Sequence, residues 1–336
     1  MTITEKPAAA TPADSAPRKD LAAVVYNPIK VDLDNLKRLV GAEQTAAGWP
    51  ETLWLETSED DPGQGQAAEA IAARASVILV AGGDGTVRAV GEVVHGTDCA
   101  LALLPSGTGN LLARNLKLVL DDLELSVRSA FTGRDRTIDV VLIDIEREDK
   151  SVDRHTYLVM AGLGLDAKML ANTDDDLKKK AGWLAYVKAL LAVGKDSRDL
   201  HFRYRLNQKP EQSLRAHTII IGNCGSLPAK IELLPDAAVD DGVFDIIVLK
   251  PGGIFGWLQI LGKVIWENGV LSRTRLGRKF KTREVDALNY ATGTELVLRL
   301  HHPEEIELDG DGFGKAVALK TWIEPGSLII RVPQDA

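Results

Sequence analysis

Apolar and polar stretches alternate along the chain with two different rhythms. In the first rhythm, short apolar runs typical of buried strands are separated by stretches of helical spacing. The strand-like runs lie at 21–25, 52–55, 77–80 and 100–104, and the clearest helical stretches lie at 34–46 and 67–74. Strands that alternate with helices at this interval predict a parallel sheet that is covered on both faces.

The second rhythm begins near residue 136, where strand-like runs follow one another through longer, irregular connections. These runs lie at 137–145, 156–161, 200–206, 218–221, 243–249, 296–300, 317–322 and 328–332. They predict an antiparallel sandwich or barrel, with helical inserts at 179–193 and 254–268. We therefore expect a disordered Ala- and Pro-rich tail at 1–20, an α/β domain at 21–135 and a β-rich domain at 136–336.

Composition narrows the classes of protein that the chain could represent. The net charge of -8 argues against a nucleic-acid-binding protein, and the 2 cysteines cannot form a disulfide framework, which favours a cytoplasmic location. We expect no signal peptide and no transmembrane helix. The most apolar segment, 254–271, is interrupted by Lys263 and Glu267.

Two glycine-rich loops carry the main chemical signal. The first, Gly82-Gly83-Asp84-Gly85-Thr86, follows the strand-like run at 77–80, and the second, Gly107-Thr108-Gly109-Asn110, follows the run at 100–104. Glycine lets the backbone approach a ligand closely, and the start of a helix offers free N–H groups to phosphate. One such loop alone could be a tight turn, but two in succession predict a nucleoside triphosphate site.

The two loops together resemble the diacylglycerol kinase catalytic-domain family, which includes bacterial lipid kinases, sphingosine kinases and ceramide kinases. The first loop alone also resembles NAD kinases and phosphofructokinases. The resemblance extends over nearly the whole chain from Leu21 onwards. It implies an α/β nucleotide domain of the NAD kinase and phosphofructokinase type, a β-rich lipid domain, and an active site for ATP and Mg²⁺ in the cleft between them.

The resemblance also implies which residues contact the nucleotide. Asn27 and Pro28 match an N-P loop, although Lys30 replaces the small residues that usually follow; it could contact phosphate or be an ordinary surface lysine. Thr57 matches a threonine that contacts nucleotide. The other candidates are the glycines of both loops with Thr86, Arg88, Thr108 and Asn110, and at Arg88 many relatives carry Asn.

Mg²⁺ is expected near Asp84, because a carboxylate repels phosphate unless a cation lies between them. The alternative is that Asp84 caps the following helix. Leu111 departs from the family pattern, since many diacylglycerol kinases have Asp after the asparagine of this loop. One carboxylate of the expected Mg²⁺ network is therefore missing or comes from elsewhere.

Two further acidic segments resemble family motifs. Asp166 lies in a G-x-G-x-D-A segment and would face the hydroxyls of the lipid head group, unless it is a plain helix cap. The run 234–245 resembles the P-x-A-x-x-D-D-G-x-L-D motif of bacterial members. It implies a structural Mg²⁺ held by the Asp241 carboxylate and the backbone carbonyls of Ala238 and Val243, the alternative being a solvent-exposed turn.

Asp311 occupies the place of the glutamate in the family's D-G-E motif, where that glutamate is the general base. Asp shortens the side chain by one methylene. Adjustment of the backbone at Gly310 and Gly312 must compensate, or the enzyme is slow, or the protein is a pseudokinase. We expect Asp311 to be the base and Asp309 to support the turn.

These observations predict an ATP-dependent lipid kinase that converts diacylglycerol into phosphatidic acid, with a long-chain base as the second choice of substrate. NAD kinase and a non-catalytic lipid or nucleotide sensor are the alternatives. The apolar segment at 254–266, with the basic residues at 273–281 and 178–180, is either a surface that binds the membrane peripherally or a core helix with solvated loops. The resemblance to bacterial members also suggests a homodimer.

Overall fold

The structure is a computed structural model that describes residues 21–107, 109–164, 199–227, 231–250 and 288–334. Several predictions from the sequence lie outside these described residues and stay predictions. They are the tail at 1–20, Thr108, Asp166, the helical inserts at 179–193 and 254–268, and the basic runs at 178–180 and 273–281.

The first part of the chain forms the predicted α/β unit. Its parallel strands lie in the order β2-β1-β3-β4. The elements are β1 Ala22–Tyr26, α1 Leu33–Ala47, β2 Leu53–Glu56, α2 Gln64–Ala72, β3 Val77–Gly82, α3 Asp84–Val94, β4 Ala100–Pro105, α4 Leu111–Asn115 and α5 Leu123–Thr132. Every residue of β1 and β3 is buried, as expected for strands covered on both faces.

Local sequence explains where the longest helix of this part begins and ends. The Asp32 carboxylate accepts the backbone N–H of Asn35 before α1, and Gly48 ends the helix with φ +69°. A side-chain acceptor at the start and a left-handed glycine at the end satisfy backbone groups that the helix itself leaves unpaired.

The second part of the chain is dominated by antiparallel strands, which confirms the predicted β-rich class. The strands are β5 Arg134–Glu146, β6 Val152–Tyr157, β7 Met160–Leu163, β8 Leu200–Leu206, β9 Gln212–Ala216, β10 Thr218–Gly222, β11 Ser226–Leu227, β12 Ile231–Glu232, β13 Phe244–Leu249, β14 Leu288–Gly293, β15 Glu295–Leu308 and β16 Asp311–Val332. A core of buried aliphatic and aromatic side chains, among them Tyr157, Phe202 and Phe244, lies beneath them.

Two strand predictions in this part were wrong in detail. The run 156–161 is interrupted at Leu158 and Val159, whose backbone N–H groups bond to the Asp309 carboxylate instead of continuing a ladder. The runs 317–322 and 328–332 belong to one strand, β16. The Pro-Gly pair between them changes the register between Glu324 and Leu328 without ending the strand.

Strand β16 joins the two parts into one sheet. Its ladder with β5 runs from Ala318 to Val332, and Ile329 and Ile330 pair in parallel with the first residues of β4. Leu328, Ile330 and Val332 also belong to the same hydrophobic cluster as the core of the α/β unit. The sheet and its core therefore run across the predicted boundary at 135/136, and a domain division at that point stays a prediction.

A second connection between the two parts runs through α4. The Asn115 side chain exchanges two hydrogen bonds with the backbone of Ser226, its Nδ2 donating at 2.9 Å and its Oδ1 accepting at 2.9 Å.

None of the helices in the described ranges combines the length and the apolar character needed to cross a bilayer.

Candidate active site

The two glycine loops lie against each other at the carboxyl ends of β3 and β4. A Cβ atom on Gly107 would lie 2.9 Å from the Cα of Gly83, so the backbones of the two loops are in contact at this point. A Cβ on Gly82 would lie 2.6 Å from the Cβ of Thr86, whose side chain is buried against the loop. Small residues are required here because the backbones are too close for side chains.

Asp84 links the two loops. It is the first residue of α3, but the cap position belongs to Gly83, and the Asp84 carboxylate accepts the backbone N–H of Leu111, at the start of α4, at 2.6 Å. The predicted alternative, a cap on its own helix, is therefore wrong. Burial raises the pKa of Asp84 and the charge of Asp311 adds to this, whereas backbone N–H groups, including those of Leu111 and Asn110, oppose it.

Asn110 shapes the second loop. Its backbone is left-handed, with φ +47°, and its side chain turns back onto Gly107. The side-chain Oδ1 accepts the Gly107 N–H at 3.1 Å, and Nδ2 donates to the Gly107 carbonyl at 2.9 Å. Arg114 also donates from Nε to the Gly109 carbonyl at 2.6 Å. The second loop is thus held by hydrogen bonds from the side chains of Asn110 and Arg114.

The residues predicted to contact the nucleotide at the end of β1 lie beside the first loop. Asn27 Oδ1 accepts the N–H of Ile29 at 3.0 Å, which closes the turn around Pro28. Lys30 Nζ would be 3.1 Å from a Cβ atom on Gly83, so its ammonium group lies over the loop. Thr57 is buried, and its hydroxyl donates to the Tyr26 carbonyl at 3.2 Å.

The general-base candidate is carried by a tight hairpin between β15 and β16. Leu308 pairs with Asp311, and the two residues between them, Asp309 and Gly310, have φ +51° and +91°. Positive φ at both positions defines the hairpin turn that most favours an Asp-Gly pair. The Asp-Gly pair itself was the available sequence signal for this turn.

Asp309 anchors this hairpin. Its buried carboxylate accepts the backbone N–H groups of Leu158, Val159 and Met160, each at 2.9 Å. Burial raises the pKa of Asp309 to about 6, although the three N–H bonds and the charge of Arg88 lower it. The carboxylate therefore fixes the hairpin to the break between β6 and β7, which is the supporting role expected from the sequence.

Asp311 meets the first glycine loop. A Cβ atom on Gly85 would lie 2.5 Å from Asp311 Oδ2, so the carboxylate is directly over the backbone of Gly85. The Asp311 side chain is 51% exposed and can therefore reach a ligand. The fold thus brings together the glycine loops and the carboxylate, which are separated by more than two hundred residues in the chain.

Arg88 lies on α3, one turn after Asp84, with its guanidinium beneath Asp311. Nη2 is 3.5 Å from Asp311 Oδ2, and the guanidinium carbon is 4.5 Å from the centre of the Phe313 ring. The sequence placed Arg88 among the nucleotide-binding residues, and a direct nucleotide contact stays a prediction. The contacts that the structure describes are with Asp311, Glu92 and Phe313.

The acidic turn before β13 lies against β5, and the backbone N–H of Asp139 donates to the Val239 carbonyl at 2.7 Å. Asp240 pairs with Arg136 at 2.7 Å, and the Asp241 carboxylate accepts the Val243 N–H at 3.1 Å. Burial raises the pKa of Asp245 to about 6, and the charges of Asp241 and Asp236 add to this effect.

Sequence reasoning missed Asp139, which holds this turn in place. Its buried carboxylate accepts the N–H of Gly242 and the N–H of Gly326, both at 2.7 Å. A polar residue inside the apolar run at 137–145 was the available signal.

The donor sets at both places suit a hard cation. Within the described residues, neither Asp84 nor Asp311 belongs to a cluster of three side chains that could bind a metal. However, Mg²⁺ commonly uses one or two carboxylates together with substrate phosphates. At the acidic turn, Asp241 and Asp245 have no ion-pair partner within the described ranges. Oxygen ligands at both places, with uncompensated negative charge at the acidic turn, therefore fit Mg²⁺.

Comparison with known proteins identifies the family. The model described as Diacylglycerol kinase catalytic domain matches residues 22–143, and the model described as YegS C-terminal NAD kinase beta sandwich-like domain matches residues 159–330. A putative diacylglycerol kinase from Bacillus anthracis has a similar fold, with a TM-score of 0.70 and 22% identity over 95% of this chain and 97% of that chain.

Curated relatives carry a more specific description. A probable lipid kinase YegS-like from Pseudomonas fluorescens strain Pf0-1 is 30% identical over 69% of this chain and 73% of its own length. A relative of the same description from Pseudomonas aeruginosa strain PAO1 is 28% identical over 94% of this chain and 95% of its own. The chain belongs to the YegS-like lipid kinase family, in which a diacylglycerol kinase catalytic domain precedes the YegS C-terminal domain.

Proposed function

We propose that this protein transfers the γ-phosphoryl group of ATP to the hydroxyl group of a membrane lipid, with diacylglycerol as the substrate and phosphatidic acid as the product. One observation carries the proposal: the Asp311 carboxylate lies over Gly85 of the first glycine loop. A phosphoryl donor held by that loop would place its terminal phosphate beside a carboxylate that can accept a proton.

The phosphates of ATP would lie over the two loops. Backbone N–H groups at the start of α3 and the ammonium group of Lys30 are the positive groups at this position. Asn27, Pro28 and Thr57 border the same end of the sheet and would line the nucleotide site. Asp84 would hold Mg²⁺ together with the phosphates, and the ion would offset the negative charge that accumulates during transfer.

Asp311 acts on the acceptor hydroxyl in this mechanism. The hydroxyl donates a hydrogen bond to the carboxylate, which takes the proton as the new O–P bond forms and the bond between the γ-phosphorus and the bridging oxygen of ADP breaks. Because half of the Asp311 side chain is exposed, the proton can then pass to solvent. Positioning of the two substrates supplies most of the acceleration, since phosphoryl transfer requires little covalent chemistry from the protein.

A second cation would stabilise the fold away from the reaction. We propose that Asp241, with the carbonyl groups of Ala238 and Val243, binds Mg²⁺ at the acidic turn. The raised pKa of Asp245 supports this, because neighbouring negative charges contribute to it. Peripheral association with a membrane would follow from the nature of the substrate.

A panel of acceptors tests the proposed function. Purified protein is given ATP with labelled γ-phosphate, Mg²⁺ and mixed micelles that contain diacylglycerol, a long-chain base or no lipid, and a parallel reaction contains NAD⁺. Labelled phosphatidic acid is the expected product. A labelled long-chain base would show that the lipid substrate is a long-chain base and not diacylglycerol. Labelled NADP⁺ would show that the protein is an NAD kinase. Nucleotide binding without any labelled product would indicate a sensor.

A further inference from the structure

The guanidinium group of Arg88 is almost completely enclosed, with its side chain 6% exposed. It lies between two carboxylates, with Nη1 3.5 Å from Glu92 Oε2 and Nη2 3.5 Å from Asp311 Oδ2. The Phe313 ring covers one face, with its centre 4.5 Å from the guanidinium carbon. Arg88 therefore connects the first turns of α3 with the strand that carries Asp311.

The hydrogen-bonding groups of this arginine are only partly used. Its Nε and Nη1 make no hydrogen bond within the part of the chain that the structure describes. Glu92, its partner one turn along α3, is shared, because the other oxygen of that carboxylate lies 3.6 Å from Nδ1 of His155. Because Glu92 and the Phe313 ring hold the guanidinium in place, Nη2 faces the Asp311 carboxylate from a fixed position.

Asp311 has little else to fix its side chain. Gly310 and Gly312 flank it, and a Cβ atom on either glycine would meet nothing within 4 Å. Among the described residues, the contact with Arg88 is the one ion pair or hydrogen bond of its carboxylate. A half-exposed side chain between two glycines would otherwise sample several rotamers.

We propose that Arg88 is a positioning residue that holds the Asp311 carboxylate over Gly85, with Phe313 as the support for its guanidinium and Glu92 as its second counter-charge. The inference rests on the proposed function, in which Asp311 is the general base. It also accounts for an enclosed arginine whose hydrogen-bonding groups are only partly used.

Substitution of Arg88 should reduce turnover without weakening nucleotide binding. We expect Arg88→Gln to lower kcat by about 10²-fold, the loss typical of a misplacement of about 1 Å in a reacting group. The KM for ATP and the Kd for nucleotide should not change, and Arg88→Lys should recover part of kcat. If Arg88→Gln raises the KM for ATP at constant kcat, Arg88 contacts nucleotide and the inference is wrong.

A double-mutant cycle separates a positioning role from a direct one. If Arg88 acts through Asp311, Arg88→Gln should cause no further loss in a protein that already carries Asp311→Asn. A full additional loss in that background would overturn the inference. Arg88→Gln could fail to fold because Glu92 loses its partner. In that case the double variant Arg88→Gln/Glu92→Gln, which removes both charges, is measured in its place.

Arg154 offers a matched control on the surface. It is 5.0 Å from the ring centre of Trp322 and donates to Asp144 at 2.7 Å, but 64% of its side chain is exposed. It thus has the same combination of aromatic ring and carboxylate without enclosure. Arg154→Gln should leave kcat unchanged.

A readout without turnover distinguishes failure of this inference from failure of the proposed function. The carboxyl carbon resonance of Asp311, assigned through Asp311→Asn, should shift in Arg88→Gln and stay in place in Arg154→Gln. An unchanged resonance in Arg88→Gln would overturn the positioning role even in an active kinase. If the resonance shifts in Arg88→Gln but the protein phosphorylates no lipid, the contact between Arg88 and Asp311 is supported and only the proposed kinase activity is refuted.

Discussion

Asp311 is the residue on which the proposed chemistry depends. Its side chain is one methylene shorter than that of the glutamate in the family motif. The hairpin brings its backbone to the first glycine loop, so the carboxylate reaches Gly85 despite the missing methylene. The length of the side chain therefore matters less than the place where β16 begins.

Removal of the charge at this position gives the most direct test of the base. Asp311→Asn should lower kcat by at least about 10²-fold, since an amide cannot accept the proton. The Kd for nucleotide, measured by calorimetry, should stay close to that of the unchanged protein. Full turnover in the variant would refute the assignment of Asp311 as base.

Gly85 provides a second test at the level of single residues. Gly85→Ala places a methyl group 2.5 Å from the unperturbed position of Asp311 Oδ2, so the carboxylate must move. We expect a loss of about 10²-fold in kcat in the lipid assay. Gly41→Ala is the matched control, because its Cβ meets nothing within 4 Å and the helix should gain about 0.5–1 kcal/mol. Equal kcat in both variants would contradict the predicted contact.

Single residues also show what sequence reasoning can find. The glycine loops and Asp311 were identified because they occur in motifs that resemble a known family. Asp139 was missed and the contact partners of Arg88 were not foreseen, because their partners come from distant parts of the chain. A hydrogen bond between Asp139 and Gly326 depends on the tertiary fold, and no local pattern encodes it.

At the scale of elements, the acidic turn and β13 form a unit whose stability should depend on pH. The pKa of Asp245 rises from 3.8 to about 6 on folding, so the folded chain binds this proton more readily than the unfolded chain. The stability that this group contributes is fully present below about pH 4 and is lost as the pH rises through about 6.

Asp245→Asn removes this dependence. We expect the variant to gain on the order of 1 kcal/mol over the unchanged protein between pH 4.5 and pH 7.5, measured as the free energy of unfolding in urea with EDTA present. Asp98→Asn, on an exposed residue, is the control and should show no such gain. If Asp245→Asn shows the same difference at both pH values, the raised pKa is contradicted.

Most strands of the α/β unit were predictable, and two departures in the β-rich part have a common cause. Continuous apolar runs revealed β1, β3 and β4, because strands covered on both faces need no polar positions. The break at Leu158 and the continuity of β16 through Pro325 were not predicted. Both depend on backbone partners across the sheet, Asp309 in one case and β5 in the other.

At the scale of the whole molecule, β16 should make the two parts unfold together. Ile330 is fully buried and belongs to the core cluster of the α/β unit. Ile330→Ala should cost about 2–5 kcal/mol in the free energy of unfolding. Fluorescence and circular dichroism should show one coincident transition in urea. Ile29→Ala, at a residue that is 86% exposed, should cost almost nothing.

Two separate transitions for Ile330→Ala would contradict this coupling and favour the domain division at 135/136. The parallel sheet and the β-rich part were foreseen from the sequence. The pairing of the last strand, β16, with β4 was not foreseen, because Ile329 and Ile330 are more than two hundred residues from β4 in the chain.

The continuity of β16 limits how Asp311 can move relative to the second glycine loop. Its first residue is Asp311, and its last residues lie beside β4, which leads into that loop. In the proposed function, an opening between the two for substrate exchange would have to bend the ladder with β5, whose register changes between Glu324 and Leu328. The Asp139 carboxylate bonds that irregularity to the acidic turn, so the cation proposed at the turn would restrain such a movement.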